Sequence, residues 1–271
     1  MRINQNVAAF NAYRNLSATN VELAKSLEKL SSGFRINRAA DDAAGLVTSE
    51  SLRAEIRGTR QAIRNAQDGI SFIQTAEGGL NEVHSILQRM RELAVYAANT
   101  AVTDGSAQQD EITELLAEIT AIGTRTTFAG NTVFADYSGT SLDFQVGANS
   151  GDTLSVSSDL TLAAGDVFGV DLSAVDVSSD AAGAITSLDS AIAAVSSGRA
   201  ELGATQNRFD HVVASLNVAA ENLSASESRI RDVDLAEEMV AFTRHQIMAQ
   251  AGTAMLAQAN QIPNTVLALI R

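Results

Sequence analysis

The chain has 271 residues, a formal net charge of −13, no Cys, no Trp and one Pro. Without Cys, disulfide frameworks and zinc–thiolate sites are excluded; an acidic chain lacks the basic face that duplex nucleic acid requires; and no apolar run reaches the roughly 18 residues of a membrane span. Apolar residues make up 45% but aromatics only 4%, and Ala fills 46 positions, a composition that favours close-packed helices over a bulky core.

The opening MRINQNVAAFNAYRN has no apolar leader core, so any export is expected to proceed without a cleaved signal. Leu16, Asn20, Leu23, Leu27, Leu30 and Phe34 then step 4-3-4-3-4, which is a coiled-coil seam. Ser32-Gly33 supplies a stop, and Asp41-Asp42 suits the start of a second helix. Its seam runs through Leu52, Ile56, Ile63, Ala66, Ile70, Ile73, Leu80, Val83, Leu87, Met90 and Ala94, and Ile112, Leu115, Ile119 and Ile122 predict a shorter helix. Leu142, Phe144 and Val146 alternate with polar residues, Gly147 to Gly151 is a turn, and Leu154 and Val156 resume the alternation, which predicts a β-hairpin. Residues 157–180, rich in Asp, Ser, Ala and Gly, are expected to give a short strand and loops.

From Ile185 to Ile230 the apolar residues hold one 3-4 lattice, broken only at Arg199, Gln206 and Glu227. A helix of that span is about 69 Å long at 1.5 Å per residue, which predicts a rod. A last helix carries Met248, Gly252, Met255, Ala259, Ile262, Val266 and Leu269, with Pro263 expected to loosen it. Both chain ends thus carry apolar stripes, and two helices cannot bury stripes that change face along their length, so partner subunits are implied. Charge is zoned as well: residues 1–64 carry +4, 65–134 carry −6, 135–198 hold nine Asp and no Lys or Arg, and 199–271 carry −2.

Several segments together resemble one family. MRINQNVAAFNAYRNL at the start, LEKLSSGFRINRAADDAAGL at 27–46, LQRMRELAVYAAN at 87–99, FQVGANSGDTLSV at 144–156, RAELGATQNRFDHVVASLNVAAENLSASESRIRD at 199–232 and QAGTAMLAQANQIPNTVLALIR at 250–271 are similar to bacterial flagellins. The resemblance covers roughly 200 residues and departs in the centre, where many flagellins insert outer domains and this chain has only some 30 residues.

The resemblance implies a mainly α fold, an elongated rod of long antiparallel coiled-coil helices with a small β-hairpin region. Residues 1–40 and 235–271 would form the terminal coiled-coil core, 41–134 and 182–234 the helical rod domain, and 135–181 a hairpin and acidic solvent-facing segment. It implies a secreted filament subunit that polymerises with itself, with an export chaperone, a filament cap and hook-junction proteins as further partners, and without nucleic acid, membrane or cofactor. The implied terminal assembly seam is Leu16, Leu23, Leu27, Leu30, Phe34, Met248, Met255, Ile262, Val266 and Leu269. Within LQRMRELAVY, Gln88, Arg89 and Leu93, with Glu111, match the segment that contacts the flagellin-sensing Toll-like receptor of animal hosts, and VLALIR at 266–271 resembles the segment read by cytosolic inflammasome sensors.

Catalytic chemistry has no support in the pattern. His84, His211 and His245 form no HExxH or i,i+4 pair, and neither GxSxG nor a P-loop is present. Asp41-Asp42 reads as a helix cap. Asp104-Gly105 with Asp110-Glu111 lacks the spacing of a calcium loop, and Met248 and Met255 suit flexible packing at a subunit contact. Two alternatives share the terminal heptads or the receptor segment: a hook–filament junction protein and a dedicated secreted receptor ligand. The matches at 199–232 and 250–271 favour flagellin.

Overall fold

The computed structural model describes residues 5–99, 104–134, 142–156, 161–163 and 166–270, the side chains of 163 and 262–270 excepted. The fold is mainly α. Helix α1 spans Val7–Ser32, α2 Ala43–Ala97, α3 Ser106–Arg125, α4 Ala181–Arg231 and α5 Leu235–Ile270.

Local chemistry sets these limits. The Asn6 side chain accepts from Ala9 N and opens α1; Gly33, at φ 76°, closes it by donating to Lys29 O, a left-handed position that suits glycine. Asp42 accepts from Gly45 N at 2.9 Å, Asp180 from Gly183 N at 2.9 Å, and Asp234 from Ala236 N at 2.9 Å, so an Asp cap opens each of the three longest helices. Asp41 accepts from the backbone N–H groups of Arg38 and Asn37, and the Arg38 bond is the main cause holding its carboxyl below the ordinary range. Helix α5 continues through Pro263.

The chain forms two compact units, Met1–Glu55 with Asn222–Arg271, and Ile56–Glu221. In the first, α1 and α5 lie antiparallel: Asn6 Nδ2 donates to Ala259 O at 2.8 Å, and Lys29 meets Glu238 at 3.7 Å. A Cβ added at Gly252 would stand 3.1 Å from Leu16 Cδ1, so glycine permits the close approach. Where α1 ends, Phe34 bridges Asp232, Val233 N donates to Gly33 O, and the Arg231 guanidinium lies 4.8 Å from the centre of the Phe34 ring.

The second unit holds the core. Ile73, Leu80, Val83, Leu87 and Met90 of α2, Ile112 and Ile119 of α3, and Leu188, Val195 and Phe209 of α4 are all buried. Strands β1 (Thr127–Phe128) and β2 (Asn131–Thr132) form a tight hairpin; β3 (Leu142–Gln145) pairs antiparallel with β4 (Thr153–Val156), Phe144 opposite Leu154; and β5 (Leu162–Ala163), β6 (Asp166–Val167) and β7 (Val170–Asp171) make a three-stranded sheet. The inward face of β4, Leu154 and Val156, is buried, as period-two alternation requires.

Candidate functional site

The terminal pair shows where the first unit is incomplete. On α1 and its cap Asn6 the half-buried positions are Asn6, Ala9, Ala12, Leu16, Thr19, Leu23, Glu28, Lys29 and Leu30, with Ser26 buried among them; on α5 they are Glu238, Ala241, Phe242, His245, Ala249, Gly252 and Leu256, with Ala259 buried. Ala241, Ala249, Gly252 and Ala259, half of the α5 side of this contact, are small residues. Most of the large apolar groups point elsewhere: Val7, Phe10, Tyr13, Val21 and Leu27 of α1 and Leu235, Met239, Val240, Ile247, Met248 and Met255 of α5 are all exposed.

The residues read as one seam thus divide. Leu16, Leu23, Leu30 and Phe34 are half-buried, whereas Leu27, Met248 and Met255 are exposed at 51%, 42% and 64%. The side chains of Ile262, Val266 and Leu269 lie outside the described residues, as does VLALIR beyond its backbone. Met239, Val240, Thr243, Arg244, Ile247 and Met248 line one open apolar groove along α5. Among the described residues of this unit, Ile36 and Ala259 are the buried apolar side chains. Thus α1 and α5 close on each other without making a core.

On α2, Gln88 and Arg89 are exposed. Arg89 Nε donates to Glu111 Oε1 of α3 at 2.9 Å, and Nη1 to Glu92 at 3.4 Å; the Glu111 bond is the main cause raising the guanidinium above its ordinary range. Gln88 Nε2 lies 3.0 Å from His84 Nε2. The structure thus brings Arg89 and Glu111 together at the surface. Leu93 does not join them: it is 7% exposed and packs in the core with Met90 and Ala97, because the buried stripe of α2 is wider than a two-position seam.

In the middle segment Asp143, Asp152, Asp171 and Asp180 are exposed, while Asp166 and Asp176 are half-buried; Asp136 and Asp159 lie outside the described residues. The acids are tied down locally. Asp171 accepts from Ser173 N at 2.8 Å, and Asp176 from Ser178 Oγ at 2.6 Å and Ser179 Oγ at 2.7 Å. The two serine hydroxyls, with the Ser178 N–H, hold the Asp176 carboxyl down at about 2. Asp189 pairs with Arg91 at 2.5 Å, so one acid of this basic-free zone finds its counter-charge within the chain.

A helical pair that carries its large apolar side chains outward is the mark of a subunit that packs against further chains. Residues 3–139 match the bacterial flagellin N-terminal helical region, and residues 185–270 the bacterial flagellin C-terminal helical region. The chain is 52% identical over 275 residues to flagellin from Halalkalibacterium halodurans and 46% identical over 306 residues to flagellin from Bacillus subtilis, in both cases across 100% of each chain. A putative flagellar hook-associated protein from Vibrio parahaemolyticus shares the fold, with TM-score 0.57 over 71% of this chain and 100% of that one, at 16% identity. The chain belongs to the bacterial flagellin family and is a structural subunit of the flagellar filament. Flagellins form the extracellular filament, and among the described residues no helix is long and apolar enough to cross a membrane.

Proposed function

We propose that copies of this chain complete one another through the outward faces of α1 and α5. In this reading residues 1–40 and 235–271 build the filament core, 41–134 and 182–234 the helical rod, and 135–181 the solvent-facing segment. The observation that carries it is the terminal unit's thin core, Ile36 and Ala259 against eleven exposed large apolar residues among the described residues of α1 and α5. Burying such surface gives about 25 cal/mol per Å², and a second copy offers the same kind of surface. The exposed Asp171 and Asp180 support an outward middle segment, where water and salt screen them. Assembly is the whole activity in this reading, with no catalytic step. An export chaperone, a filament cap and hook-junction proteins are its remaining partners. Negative-stain microscopy of concentrated protein tests it: long helical filaments are expected, and inert monomers would refute it.

A second surface supports recognition of free monomer by host flagellin-sensing receptors. Gln88, Arg89 and Glu111 form an exposed polar patch, with Leu93 beneath it as packing, and a planar arginine is a common centre of a binding surface. Arg89→Ala is expected to weaken receptor signalling by about 30-fold, the equivalent of about 2 kcal/mol for a hot-spot arginine. The fold should be retained, because exposed ion pairs contribute little and Ala favours helix. A dose-response equal to that of a signalling wild type would remove this role.

A further inference from the structure

Arg53, Arg57, Arg60 and Arg64 follow one another along α2 at steps of four, three and four residues, which puts them on one face. Arg53 is met by Glu50 at 3.1 Å and Glu227 at 3.9 Å. Further along the helix Arg89 and Arg91 are each paired with a carboxylate. Arg57, Arg60 and Arg64 differ. All three are exposed, none has a carboxylate within ion-pairing distance among the described residues, and Arg64 donates only to the neutral Gln61. Spaced as they are, the three repel one another.

Helix α3 carries the converse. Asp110 and Glu114 stand one turn apart, exposed, on the side away from Ile112 and Ile119, and neither is paired among the described residues. Their neighbours Glu111 and Glu118 are already held by Arg89 and Arg125.

One chain cannot join its own two stripes. The Arg89–Glu111 bond marks the level of α3 on α2, and the 29 residues from Arg60 to Arg89 are about 44 Å of helix, beyond the reach of any two side chains. From Arg57 to Arg89 is 32 residues, about nine turns, so the stripe points to the side of α2 on which α3 lies. Both stripes belong to the Ile56–Glu221 unit, so folding fixes their offset.

We infer that the Arg57–Arg60–Arg64 stripe receives the Asp110–Glu114 edge of a second copy of this chain, displaced along α2 by about 44 Å. The inference rests on the filament-subunit reading and names a polar contact for it. Guanidinium and carboxylate match in geometry and charge. The two patches differ and are offset, so the contact is heterologous: each copy keeps one stripe free at either end of a row, and the row extends without closing. The aspartates of the middle segment are a poorer match, because Asp171 and Asp176 already accept from their own serines.

The test is charge exchange, read as the critical concentration for growth. Wild type is expected to polymerise, with a critical concentration that rises with NaCl as screening weakens the contact. Arg57→Glu/Arg60→Glu/Arg64→Glu, and separately Asp110→Lys/Glu114→Lys, should each raise it by about tenfold or more, and the five changes together should bring it back to within about threefold of wild type. The gentler Arg57→Gln/Arg60→Gln/Arg64→Gln should raise it too, with circular dichroism and thermal unfolding unchanged in every variant. Growth of the Arg→Glu variant at the wild-type critical concentration would overturn the contact while leaving the filament reading intact. Failure of the combined variant to improve on its parents would overturn the assigned partner. A wild type that never polymerises would remove both readings together.

Discussion

Deleting residues 1–35, or residues 236–271, is expected to yield a soluble, largely helical protein that no longer polymerises. Either deletion removes one member of the α1–α5 pair and uncovers the face of the other: Leu16, Leu23 and Leu30 in one case, Ala249, Gly252 and Leu256 in the other. A lone helix of this kind is marginal in water. The Ile56–Glu221 unit should survive, because its buried residues, from Ala66 to Phe209, form one cluster that involves neither α1 nor α5. The same reasoning sets the behaviour of dilute full-length monomer. With so little buried between α1 and α5, their amides should exchange far faster than those of α2 around Leu80 and Leu87, since local opening free energy tracks buried contact. Normal filament growth by either truncation would defeat the proposal, and so would strong protection of both terminal helices in dilute monomer.

The helices were legible because they are long and regular. The 3-4 lattice from Ile185 to Ile230 lies within α4, Asp42 caps α2 where the Asp pair placed a helix start, and Gly33 ends α1 as a left-handed cap. The β3–β4 hairpin was legible in its alternation, Phe144 opposite Leu154. Face assignment on α5 was harder. The lattice read through Met248, Gly252, Met255 and Ala259 divides: Gly252 and Ala259, with Ala249, allow the close contact with α1, whereas Met248 and Met255 are exposed. A helix rich in alanine has two plausible apolar faces, and its sequence does not say which one is used within the chain. The β1–β2 hairpin escaped notice for another reason. Its turn residues are Ala129 and Gly130, at φ 51° and 87°, a conformation usually signalled by Asn-Gly or Asp-Gly. Leu93 shows the same limit at the candidate recognition surface, since a residue between seam positions can be core when the buried stripe is broad.

Phe209→Ala is expected to destabilise the Ile56–Glu221 unit by about 3–5 kcal/mol, the usual cost of removing a buried phenylalanine. Phe209 is fully buried in α4, and its ring rests on α2 at Gly69, where an added Cβ would stand 2.8 Å from Cζ. It meets Phe144 of β3 edge-on at 5.6 Å; Phe144 lies 6.0 Å from Phe72 of α2, and Phe72 lies 5.8 Å from Phe128 of β1. Four of the nine phenylalanines in the chain therefore form one row that ties both hairpins to α2 and α4. Phe144 is the ring next to the vacated space, and Phe72 and β3–β4 pairing hold it in the row, so the cavity term should be near its full value. Gly69→Ala should be destabilising from the opposite side, by overpacking the same ring, at about 1–3 kcal/mol. Urea unfolding followed by circular dichroism measures both, with the m-value expected to stay at its wild-type level. The hairpin amides of Leu154 and Val156 should lose exchange protection in Phe209→Ala before those of α2 around Leu87, because the ring row is their attachment to the helices. A loss below about 1 kcal/mol for Phe209→Ala would mean that the site collapses around the missing ring, and that the hairpins are held by their own pairing and by the Asn65 side-chain bond to Gln145 O at 2.9 Å instead.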